Sequence, residues 1–246
     1  MDDGYKMLQH VVRQVFGNLG QAVRLTLFLT AAPMLVLVWL SAQTVPGPDG
    51  MPMPEYPGFI FLVSILNLIL SAWAAVGWHR FVLREEYGAG IVPQWHGQNV
   101  KSYIGRLIIL VLVMILIVLA IGIASGALIL ATQSVLVIWF VAIGIAMGIS
   151  WVAVRIGLIL PAAALGEKMR IAESWQATKP VSTDILVPIV IIAISITVLS
   201  GAVEAIFGST LVGLVLVAGV YWIQILLNLS LMTTVYGMQI EGRSLS

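Results

Sequence analysis

The chain contains no cysteine. Disulfides, thiolate metal sites and thiol nucleophiles are thereby excluded, and the absence fits any compartment. Charge is scarce as well. Only 9% of the 246 residues are Asp, Glu, Lys or Arg, where soluble domains carry roughly 25%. The balance is +1, which leaves no electrostatic footprint for a nucleic-acid partner. Catalytic signatures are missing too: no HExxH, no glycine-rich phosphate loop followed by Lys, and no GxSxG occurs. No acidic residue falls in the middle of an apolar run, and Glu204 lies at an outer edge. That argues against a buried-carboxylate proton pump. His79, Glu85, Glu86 and His96 come nearest to a metal set. His79 and Glu86 are seven apart, about two helical turns, too far to share one ion on a straight helix. No metal and no cofactor is expected.

What is present is apolar: 60% of the residues are hydrophobic. A water-soluble fold of this length could not hide so much, so lipid is the expected solvent. Six runs stand near 22–44, 58–82, 103–126, 134–160, 185–203 and 211–236. Crossing ~30 Å of hydrocarbon takes ~20 apolar residues, and a backbone in lipid must satisfy its own hydrogen bonds. With no alternating strands, the runs are expected to be helices. Between the third and fourth, only Ser125-Gly126 and Ala131-Thr132-Gln133-Ser134 offer polar breaks. The first run begins about twenty residues in, behind Asp2 and Asp3, unlike a cleaved signal peptide. The expected fold class is an all-α integral membrane protein with six transmembrane helices, one polytopic domain over 1–246.

Orientation follows from the cations. The connections 45–57, 126–133 and 204–210 hold no Lys or Arg, so all twelve fall on the other side. The positive-inside bias places both termini in the cytoplasm.

A repeat is expected as well. Asn18-Leu19-Gly20-Gln21, Asn99-Val100-Lys101-Ser102 and Pro180-Val181-Ser182-Thr183 each precede an odd span, spaced 81 and 81 residues apart. The proposed unit of ~81 residues is an amphipathic elbow, an odd span and an even span, over 1–84, 85–162 and 163–246. In the first elbow Leu8, Val11, Val12, Val15 and Phe16 share one helical face. In the third, Leu165, Met169, Ala172 and Gln176 trace a stripe beside Trp175. Such helices suit the headgroup plane, apolar face down. The middle elbow, with Tyr87-Gly88-Ala89-Gly90 and Pro93, reads as broken. Ser182 or Thr183 is placed to cap the fifth span, with Asp184 in its first turn.

Candidate sites gather at the basic ends of the spans. Trp78, Arg80, Trp151 and Arg155 lie at interface depth and read first as a snorkelling belt. Arg80, Arg84, Arg106 and Arg155, with Trp78, Trp151 and Trp175, are the candidates for binding lipid phosphate or another anion. Asn67, Gln224 and Asn228 are intramembrane amides, suited to interhelical hydrogen bonds or to a polar path. Gly144 and Gly148 form a GxxxG pattern that permits close helix approach, inside the monomer or in a homo-oligomer. Pro33 and Pro188 should kink or end their helices locally.

One stretch resembles known families. Arg155, Pro161 and Glu167, followed by Glu173-Ser174-Trp175 and Thr178-Lys179, resemble a pattern in YciC-like bacterial proteins. The same pattern occurs in the membrane domain of some glycerophosphodiester phosphodiesterases. The resemblance implies an inner-membrane protein with cytoplasmic elbows. The chain has no soluble phosphodiesterase domain, so that activity does not carry over. The expected function is non-enzymatic: an envelope- or lipid-related protein with membrane lipids as partners, or an accessory subunit of a membrane-protein partner. The alternative is a small-solute transporter or channel using a polar path between helices, since repeats frame many transport sites.

Overall fold

The computed structural model describes residues 2–88 and 90–245. Its helices are α1 (Asp2–Phe16), α2 (Leu19–Ala22), α3 (Phe28–Ala42), α4 (Pro57–Arg84), α5 (Gly97–Thr132), α6 (Val135–Ile156), α7 (Ile159–Leu165), α8 (Ile171–Ala177), α9 (Leu186–Phe207) and α10 (Leu211–Gln239). Six stretches are long and apolar enough to cross a membrane: Leu19–Ala42, Pro57–Arg84, Gly97–Ile123, Val135–Leu165, Leu186–Phe207 and Leu211–Gln239. The protein is a multi-pass membrane protein of helices.

Local chemistry sets the breaks. A π-helical turn, Val23–Leu27, joins α2 to α3, and Pro33 sits inside α3 without ending it. Between α5 and α6 the chain turns at Gln133, left-handed with φ 47°, and at the extended Ser134. Ser125-Gly126 stays helical, its serine hydroxyl donating to Gly122 O at 3.3 Å. The third helix therefore runs past 126. The fourth run breaks between α6 and α7 because Pro161 has no N–H for Gly157 O. Leu160 N donates there instead, at 2.9 Å. The connection between α3 and α4 is an exposed hairpin of β1 (Thr44–Pro46) on β2 (Pro52–Pro54), with Val45 opposite Met53.

The even spans meet in the middle: α4, α7 and α10 touch one another. The odd spans lie outside, each against two even ones. α3 packs on α4 and α10, α5 on α4 and α6–α7, and α9 on α6 and α10. Two apolar cores result. One joins Met7, Val11, Trp78, Leu158, Leu226 and Leu231; the other joins Val76, Val100, Tyr103, Ile159 and Leu160. Large side chains such as Phe59, Leu116, Leu136 and Leu211 are exposed. Apolar surface of this extent suits hydrocarbon, not water.

The segments before the odd spans differ from expectation in detail. α1 docks on α9 and α10 through Met7, Val11 and Val15, leaving Phe16 46% exposed. Its apolar face is thus divided, with half of it against protein rather than laid into headgroups. The stripe Leu165, Met169, Ala172, Gln176 does not exist as one helix. Gly166, with φ 83°, ends α7 in the left-handed region that favours glycine. α8 then starts afresh and turns Ser174 inward. The middle segment carries no helix over 85–88 and 90–96, as its glycines and proline imply; Ala89 lies outside the described residues. Neither Ser182 nor Thr183 caps α9 with its side chain.

Candidate functional site

The sharpest cluster forms where α6 gives way to α7. Arg155 is 5% exposed. Its guanidinium carbon lies 5.0 Å from the Trp151 ring centroid and 3.7 Å from that of Trp175. The two indoles meet edge to face at 5.6 Å. Arg155 Nη2 donates to Trp175 O at 2.7 Å and Nε to Thr178 Oγ1 at 3.2 Å. Ser174 Oγ donates to Arg155 O and accepts from Leu158 N. The Ser-Trp-x-x-Thr motif is therefore a plug. It satisfies Arg155 O and Leu158 N where α6 gives way to α7, and it holds the arginine against two ring faces.

A second cluster ties the ends of α4, α7 and α10 together. Arg80 makes a two-pronged ion pair with Glu86, its Nε donating to Oε2 at 2.7 Å. Arg80 also donates to Ala164 O, which Asn99 Nδ2 reaches from α5 at 2.6 Å. His96 stands 3.1 Å from Glu86. Arg80 holds the Glu86 carboxyl below the ordinary carboxylate range, against the opposing pull of partial burial. One turn on, Arg84 pairs with Glu167 at 3.2 Å and Glu241 at 2.6 Å. Tyr236 donates to Glu167 at 2.5 Å. Arg243 pairs with Glu241 at 2.7 Å and donates to Leu83 O.

Behind these lie the residues that overturn the belt reading. Trp78 is 0% exposed, and its indole donates to Ser230 Oγ at 3.0 Å. It anchors α4 to α10 and never meets lipid. Arg155 likewise faces inward, because the plug supplies the acceptors that snorkelling would otherwise seek. His79 is wholly buried, with Nδ1 2.7 Å from Thr233 Oγ1. That hydroxyl already donates to Leu229 O, so His79 Nδ1–H is the donor and Nε2 is a bare acceptor without a partner among the described residues. Ser230 and Thr233 escaped sequence reasoning. Their signal is small hydroxyl residues three apart at the end of a long apolar run.

The remaining candidates do not gather. Arg106 has no ion pair among the described residues and shares no partner with Arg80 or Arg155. Asn67 meets only Ser71 of its own helix, at 3.5 Å. Gln224 is half-buried and Asn228 exposed, and neither makes a side-chain hydrogen bond among the described residues. None of the three amides lines the cavities of the bundle described below. A Cβ added at Gly144 or Gly148 would meet nothing within 4 Å, so these two glycines approach no other helix among the described residues. Among the described residues no three His, Asp or Glu side chains come close enough to hold a metal.

No protein-family model, curated protein or solved structure matches the chain.

Proposed function

We propose that this is a non-enzymatic protein of a bacterial inner membrane, with both termini in the cytoplasm, whose basic end engages anionic lipid headgroups. Its service would be to the envelope, to lipid homeostasis, or to a membrane complex as an accessory subunit. One observation carries the reading. At the basic end Glu86, Glu167, Glu173 and Glu241 are all occupied by arginines. Arg13, Arg24, Lys101, Arg106, Lys168 and Lys179 are left with no carboxylate among the described residues. A basic side chain near an anionic bilayer surface contributes about 1 kcal/mol each, so the surplus suits phosphate oxygens.

The repeat belongs to the same proposal, with α1, the 85–96 segment and α8 as its elbows. Each even span passes one indole N–H to the following unit, in a closed circle. Trp73 donates to Gln94 O, Trp151 to Ser182 O, and Trp222 to Thr26 Oγ1. Trp73–Trp95 and Trp151–Trp175 are both edge-to-face pairs. Kinship with the YciC-like families is part of this reading and rests on the Arg155–Lys179 stretch.

Native mass spectrometry of the detergent-solubilised protein tests it. Phosphatidylglycerol should be retained over phosphatidylcholine, and replacing Lys101, Arg106 and Lys179 by Ala should erase the preference. Equal retention of the two lipids by the unaltered protein would sink the proposal. So would labelling of Lys101 or Lys168 in intact cells by an amine reagent that cannot cross the membrane.

A further inference from the structure

Two cavities lie side by side. The larger, about 450 Å³, runs between α3 and α10, from Thr30 to Val38 on one side and from Ile225 to Leu214 on the other. The smaller, about 170 Å³, lies deeper, walled by Ala72, Ala75, Tyr103 and Leu107 of α4 and α5. Thr30, Trp222 and Ile225 line both. They adjoin as the outer arm and the inner pocket of a crevice, and no charged side chain lines either part. Its volume falls in the roughly 300–1,000 Å³ range of small-molecule sites.

Most polar groups of the inner pocket are already committed. Thr26 Oγ1 donates to Ala22 O at 2.7 Å and accepts from Trp222 Nε1 at 2.9 Å. Thr30 Oγ1 donates to Thr26 O at 2.8 Å, and Ser71 Oγ meets Asn67 Oδ1. Tyr103 is the exception. It is 3% exposed, its ring lies 5.8 Å from that of His79, and its hydroxyl has no partner among the described residues. Its O–H donor is thus left free beside an apolar lining, and hydrocarbon supplies no acceptor. An oxygen entering the pocket would supply one.

We propose that this crevice binds an uncharged amphiphile. Its carbonyl-bearing head sits in the inner pocket and accepts the Tyr103 O–H, and its hydrocarbon tail lies in the outer arm between α3 and α10. The head is neutral because the lining offers no counter-charge, which disfavours a phospholipid phosphate or a free carboxylate. An isoprenoid benzoquinone and a diacylglycerol share this chemistry. The site is separate from the headgroup contacts proposed above, since those depend on surplus cations at the basic end and this on a neutral interior.

The test is titration of the purified full chain in detergent with a long-tailed benzoquinone, with diacylglycerol, and with phosphatidylcholine as the reference for lipid that merely coats the protein. Two variants accompany it. Tyr103→Phe keeps the ring and its contact with His79. Gly219→Leu adds bulk in the outer arm, where a new Cβ meets nothing within 4 Å. At least one carbonyl amphiphile should bind one to one. Tyr103→Phe should weaken it roughly three- to tenfold, the worth of one net hydrogen bond. Gly219→Leu should weaken it further, and phosphatidylcholine retention should not move. Binding of the quinone alone would mean that the inner pocket selects a ring; binding of both would mean that a carbonyl and a tail suffice. The proposal is overturned if neither saturates at one per chain, or if both variants bind like the parent.

Discussion

The guanidinium carbon of Arg155 lies 3.7 Å from the centre of the Trp175 ring, with no carboxylate paired to it among the described residues. The charge is held by two aromatic faces, a carbonyl and a hydroxyl. A planar cation suits that setting and an ammonium does not. Arg155→Lys should therefore cost about 2 kcal/mol, from lost stacking and one lost charged hydrogen bond. Unfolding in mixed micelles measures it. A loss below a few tenths of a kcal/mol would mean that the rings do not hold the charge.

Ser174 serves two backbone groups at once, Arg155 O and Leu158 N. Ser174→Ala strands both in a buried place, at about 1–3 kcal/mol. Ser182, which offers only its carbonyl to Trp151, is the control. Ser182→Ala should fall within about 0.5 kcal/mol of the parent, as surface changes do.

Trp78 and Trp95 separate the inward reading from the belt. Trp78 is buried against Ser230, and Trp95 is exposed beside Trp73. Trp78→Phe leaves a cavity and an abandoned hydroxyl, and should cost about 2–4 kcal/mol. Trp95→Phe should cost under about 1 kcal/mol. Equal losses would restore the belt.

How far the sequence could carry this depends on which forces act over short range. The six spans were legible because crossing lipid needs only length and apolarity, which composition states outright. The direction in which Trp78 and Arg155 face was not. Depth along a helix is one coordinate and rotation about it another. In a span apolar all round, such as α4, no periodicity marks the inner face. The pairing of Glu167 with Tyr236 and Arg84 was equally hidden, since it depends on three helix ends converging from distant parts of the chain. The plug was half legible: the resemblance isolated Arg155, Ser174 and Thr178, but not that Ser174 would bond Arg155 O and Leu158 N where α6 ends.

Gly77 permits the closest approach of the middle segment. A Cβ there would lie 2.6 Å from the Pro93 side chain. Gly77→Ala should push 90–96 off α4, loosen the contact of His96 with Glu86, and cost about 1–3 kcal/mol by overpacking. Limited proteolysis between Tyr87 and Trp95 should accelerate. Unchanged cleavage and stability would show that Pro93 yields without cost.

The ion pair of Arg80 with Glu86 gives the fold a dependence on acid. Arg80 depresses the Glu86 carboxyl from its ordinary value of 4.5. A carboxyl depressed by folding contributes stability that is complete above its unfolded value. That contribution declines as pH falls below 4.5 and is gone once pH has passed the folded value. Stability should therefore fall on acidification in that window, and Glu86→Gln should flatten that part of the curve while lowering the plateau at neutral pH. The pair is partly solvated, so the plateau change is modest and shrinks with salt. His96 stands against the same carboxylate, so His96→Gln is the companion measurement. If Arg80 dominates, as the two-pronged contact implies, the acid limb survives His96→Gln and vanishes in Glu86→Gln. An acid limb unchanged in Glu86→Gln would show that this ion pair does not carry the sensitivity.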